Sequence, residues 1–194
     1  LKSSIEELSK RDGWRDGDTV RIIVHIFKPI KNIEAEVISK LMDEFTQYRI
    51  RFCFVTISEH HSFMIFDSNQ NGGEFYGKKK GEFLAARGQN IILDSHSCLL
   101  NMKGPRDVKT PKQGLPSPLL IRIHKSSTFT DLNYVCQQIY TLTNLSWRSF
   151  LPFQTPVTVL YSSLIAEQLQ NLGLKIADII KREIPSKNLP SIRD

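Results

Sequence analysis

The chain has 194 residues, 40% hydrophobic and 24% charged, a balance that suits a soluble globular domain with one sizeable core. Its net charge of +6 permits a polyanionic partner, because clustered Lys and Arg release counterions from phosphates. No apolar run approaches the ~20 residues of a membrane span, and Leu1 opens no signal-peptide pattern. Cys53, Cys98 and Cys136 are odd in number and widely spaced, so they read as buried thiols in a reducing, cytoplasmic compartment, with neither a disulfide frame nor a zinc pattern. The missing initiator Met points to a fragment, with part of any site expected upstream.

Residues 1–19 are polar and read as a lead-in with a short helix over 4–10. Val20-Arg-Ile-Ile-Val-His-Ile-Phe27 is a β-branched run that predicts a central strand buried on both faces, ended by Pro29, which has no N–H for a ladder. Ile33, Val37, Ile38, Leu41, Met42 and Phe45 then recur at helical spacing and predict an amphipathic crossover helix. Residues 49–57 form a second strand, so strand, helix and strand make a βαβ unit with parallel strands.

Residues 62–100 read as antiparallel ribbon, with strands over 63–66, 82–84 and 89–93 separated by turn signals. Residues 101–117 read as an exposed basic loop, and 119–124 as another strand. Thr130-Asp131 predicts a cap for a helix over Leu132, Val135, Ile139 and Leu142. A last apolar helix is expected over 162–172, stopped by Gly173, with a second helical stretch over 176–182 and a polar tail. Mixed strands with helices on the faces indicate an α/β layer fold.

The most informative stretch is Leu142-Thr-Asn-Leu-Ser-Trp147-Arg148-Ser followed by Pro156-Val-Thr-Val-Leu-Tyr161-Ser-Ser163-Leu-Ile-Ala166-Glu-Gln168. An aromatic-basic pair ends one helix, an extended arm follows, and a Tyr-Ser-Ser turn opens the next helix. This order resembles the C-terminal end of the PIWI domain of Argonaute proteins. The resemblance covers about 20–174, with 175–194 as a departing helix and tail, and implies a ribonuclease-H-like mixed sheet with helices on both faces.

Cleaving members of that family hold two magnesium ions with an Asp-Glu-Asp-His or Asp-Glu-Asp-Asp set, since in-line phosphoryl chemistry needs hard oxygen ligands on each side of the phosphorus. Alignment of the first apolar run places Lys28, or Phe27 if shifted by one, on the third ligand, and Ser163 on the fourth. An ammonium has no lone pair for a metal, and a neutral hydroxyl is a poor substitute for imidazole or carboxylate. His25 nearby reads as a packed histidine. The pattern is similar to the inactive PIWI domains of short prokaryotic Argonautes, which bind guide and target in defence-type systems while an associated effector protein supplies the enzyme activity.

The resemblance implies a guide strand and its target as partners, with Arg148 gripping phosphate oxygens beside Trp147. Tyr161, Ser162 and Ser163 would offer helix N-terminal amides to a phosphate, and Gln168 would reach the guide. Lys125 after a strand is a further candidate. The plainer alternatives are a packed Trp147 with a snorkelling Arg148, ordinary serine N-capping and a solvated Lys125. The family also implies magnesium at a guide 5′-phosphate site beside a C-terminal carboxylate, but the tail after Lys175 departs from it, so Asp194 is not carried over. Lys78-Lys-Lys80 and the 103–112 loop are basic clusters that either track a nucleic-acid backbone or keep a loop soluble. An active nuclease with ligands upstream and a protein-interaction scaffold for an effector remain as alternatives.

Overall fold

The computed structural model describes residues 1–26, 28–108, 114–145 and 153–183, with side chains except those of Phe75 and 174–183. The chain forms two compact units, Leu1–Val157 and Thr158–Asp194. The first contains α1 (Lys2–Arg11), β1 (Thr19–Ile26), α2 (Asn32–Asp43), β2 (Arg49–Ser58), β3 (Asn71–Phe75), β4 (Lys78–Glu82), β5 (Asn90–Ile92), β6 (Ser97–Leu100), β7 (Leu119–Ile123) and α3 (Leu132–Thr143). The described part of the second is α4 (Val157–Glu183) apart from its first residue.

Five strands form an open mixed sheet in the order β1-β2-β7-β6-β5, and β3-β4 is a separate hairpin. β1 and β2 are parallel and joined through α2, the expected βαβ unit, whereas the other neighbours in the sheet are antiparallel. Strand register assigns the faces, because residues directly opposite one another project to the same side. Ile22 and Val24 lie opposite Phe52 and Phe54, and these four pack with Ile5 of α1 and with Ala35 and Met42 of α2. Ile5 is the buried residue of α1, so the polar opening segment contributes to this core. On the other face, Cys53, Val55, Ile121 and Cys98 are fully buried. There Cys98 lies 3.0 Å from Cys136 of α3, sulfur to sulfur. Helices thus cover both faces. Asp131 caps α3 as expected, its carboxylate accepting from the Tyr134 amide at 3.0 Å.

Several expectations fail for physical reasons. Among the described residues β1 pairs with β2 alone, so it is an edge strand and only partly buried; a β-branched run alone does not reveal how many neighbours a strand has. On α2, Ile33 and Val37 are 68% and 62% exposed while Ala35 is buried. The helix is rotated towards its smaller residue, which permits close approach to the sheet. Residues 63–66 form no strand: Ile65 is buried, but Phe63, Met64 and Phe66 point outward. The 101–108 part of the supposed exposed loop is held in. Asn101 is 2% exposed and its amide donates to the carbonyls of Ala85, Ala86 and Lys103, and Arg87 pairs with Asp107 at 3.1 Å. Residues 109–113 lie outside the described residues.

Candidate functional site

The end of the sheet where β1 and β2 finish is fixed by their parallel register. Ile26 faces Thr56, and Lys28 is exposed just beyond the end of β1. After β2 comes Glu59, a carboxylate absent from the sequence analysis; its Oε1 accepts from the Thr155 hydroxyl at 2.9 Å. Gln154 donates to the Ser117 carbonyl at 3.3 Å, so the segment leading into α4 is tied to this end. The nearby His61 ring serves the backbone: its Nε2 is 2.8 Å from the Pro118 carbonyl oxygen and its Nδ1 accepts from the Phe63 amide.

Among the described residues no three His, Cys, Asp or Glu side chains gather where they would hold a metal ion. Asp67, Asp94 and Asp107 each accept from a backbone amide two or three residues away, the ordinary work of turn carboxylates. The Ser97 hydroxyl donates to Asp94 at 2.6 Å, and with the His96 amide it holds that carboxyl below the usual range.

Lys125 stands elsewhere. It is exposed in the turn after β7, and β7 runs antiparallel to β2 with Ile123 opposite Val55. Lys125, past the end of β7, therefore follows β2 back away from Thr56, where β1 finishes. The fold does not bring the two lysines together. The run after Lys125 lies along β2 instead, where the Ser127 and Thr128 hydroxyls accept from the amides of Phe54 and Phe52 at 3.0 and 2.7 Å.

α4 starts at Val157, which corrects the Tyr-Ser-Ser helix start and takes 157–160 out of the expected arm; residues 146–152 of that arm lie outside the described residues. Proline directly before the helix loses no hydrogen bond there and presets the backbone, so the β-branched Val157-Thr-Val run is taken into the first turn. Tyr161, Ser162 and Ser163 consequently sit inside the helix, where their amides belong to the i→i−4 ladder and are not offered to an anion. Ser162 Oγ donates to the Thr158 carbonyl at 2.6 Å and Ser163 Oγ to that of Leu160 at 2.8 Å. At about 100° per residue, Tyr161 and Gln168 share one face with Ile165, whereas Ser163 is about 200° round from Tyr161. Gly173 does not stop the helix, which continues to Glu183.

Trp147 and Arg148, together with Phe27 and Asp194, lie outside the described residues. The structure adds a cationic cleft absent from the sequence reading. Arg21 and Arg51 are directly opposite in the β1–β2 register, with their guanidiniums over the rings of Tyr134 and Phe129 at 5.5 and 5.9 Å. They line a cavity of about 380 Å³ with Thr128, Thr130 and Asp131. The signal was alternation in the two strands, legible only once their register is known.

No family model matches the chain. It is 39% identical over 173 residues to the protein argonaute of Cereibacter sphaeroides, an alignment covering 87% of this chain and 22% of that relative. Over that stretch the chain is homologous to an Argonaute. Among solved structures, that of Aquifex aeolicus Argonaute matches with a TM-score of 0.57 at 19% identity over 86% of this chain and 20% of that one. Clostridium butyricum Argonaute bound to a guide DNA and a 19-mer target DNA matches with a TM-score of 0.56 at 15% identity, over 87% and 21%. The mixed open sheet with helices is thus an Argonaute fold, and the chain spans about a fifth of the length of these Argonautes. Among the described residues no helix is long and apolar enough to cross a membrane.

Proposed function

We propose that this chain binds a guide strand and its duplex with target through backbone contacts, and that it does so without cutting. The observation that carries the binding is the 39% identity to an Argonaute across most of the chain. Two side chains support the absence of cutting. The resemblance puts Lys28 and Ser163 on two of the metal-ligand positions; a lysine repels a divalent cation, and the Ser163 hydroxyl already donates to its own helix. Neither fits a two-magnesium site.

In this reading Arg148, Trp147 and the α4 face carrying Tyr161 and Gln168 hold phosphates, sequence is read by base pairing, and a defence-type effector supplies any enzyme activity. Arg148→Glu should weaken short-guide binding by tenfold or more, with circular dichroism and thermal midpoint unchanged, as expected for loss of a charge-assisted phosphate contact. Unchanged affinity would remove Arg148 from the interface. Magnesium-dependent cleavage of a guide-matched target by the protein would overturn the non-cutting half of the proposal.

A further inference from the structure

The β3–β4 hairpin turns through Tyr76 and Gly77, with Phe75 opposite Lys78. Both turn residues have positive φ, 51° and 70°, the signature of a type I′ turn, which favours Asn-Gly or Gly-Gly. Tyrosine is strained at the first of these positions. Among the described residues no ring contact holds Tyr76, which is 103% exposed. The ribbon's base, in contrast, is held down. A Cβ on Gly81 would come within 2.7 Å of Pro105 Cα, Lys80 Nζ donates to the Val108 carbonyl at 3.4 Å, and Phe83 exchanges backbone hydrogen bonds with Asp67 and Gln70. The hairpin is an anchored finger whose tip carries an aromatic ring.

The residues behind the tip indicate what the ring meets. Lys78 and Lys79 are both exposed, and Lys79 is engaged with Glu82 at 3.2 Å. Among the described residues no ion pair includes Lys78. A flat ring with an ammonium one strand residue behind it matches a nucleotide, whose base offers a π-face and whose phosphodiester offers a charge.

We propose that Tyr76 stacks on an unpaired nucleobase of a bound strand, with Lys78 on the adjoining phosphate. This rests on the nucleic-acid-binding reading above and adds a contact remote in sequence from the Arg148-to-Gln168 segment. A structural role and a binding role for Tyr76 predict opposite results for Tyr76→Asn, which installs the preferred turn pair. The thermal midpoint should stay or rise, while affinity for a short single-stranded oligonucleotide falls about tenfold or more. Tyr76→Trp should keep the affinity, and blunt, fully paired duplex should bind both proteins equally. With an oligonucleotide carrying 5-bromouracil, ultraviolet cross-linking should map to Tyr76.

Full affinity in Tyr76→Asn, or equal losses on single strand and duplex, would overturn the stacking contact while leaving guide binding through Arg148 standing. Failure of the unaltered protein to bind any oligonucleotide would remove both.

Discussion

His25 shows how one side chain couples the sheet to pH. It projects from β1 to the same side as Val55, its partner in register, and burial pushes its pKa from 6.5 down to about 4, since desolvation disfavours the charged ring. The unfolded chain therefore takes up a proton first as pH falls. The stability tied to neutral His25 is complete above about 6.5 and is lost between there and about 4, a decrement of about 3 kcal/mol. Urea midpoints at pH 7 and pH 4.5 should show the loss, and His25→Leu should reduce it; a variant with the same pH dependence would assign the effect to other groups. The packed reading of His25 was available from its place in an apolar run. The surroundings of Ser163 were not, because its hydroxyl partner depends on where α4 begins.

At the scale of elements, the βαβ unit, β7 and α3 were legible, since each combines a clear apolar period with a local stop or cap such as Pro29 or Asp131. The misread elements lacked a local arbiter. Val157-Thr-Val has strand propensity in isolation, but propensity yields to context, and a preceding proline serves a helix start as well as an arm. Gly173 was read as a stop because glycine favours positive φ, yet in α4 it is an interior residue, and a methyl group on its Cα would meet nothing within 4 Å. Gly173→Ala should therefore stabilise α4 by about 0.5–1 kcal/mol, by restricting the unfolded backbone. The expected readout is a higher ellipticity at 222 nm on heating; a lower one would mean that the glycine meets a close neighbour.

For the whole molecule, the net charge of +6 bears on the guide binding proposed above. The basic side chains Lys28, Lys78 and Lys125 are exposed and spread along the chain, which suits several separate phosphate contacts better than one compact basic motif. Phosphate contacts position a strand without reading it, so guide affinity should be nearly independent of base sequence and steeply dependent on salt. If about four phosphates are neutralised, log K should fall against log salt with a slope of about −3, so affinity drops roughly 50-fold between 50 and 200 mM. Arg148→Glu should flatten that slope by about one unit, as Tyr76→Asn should not, because stacking releases no counterion. Titrations of two unrelated guide sequences across this salt range decide the matter: a slope near zero, or affinities that track base sequence, would mean that the protein reads bases directly and that the charge serves only solubility.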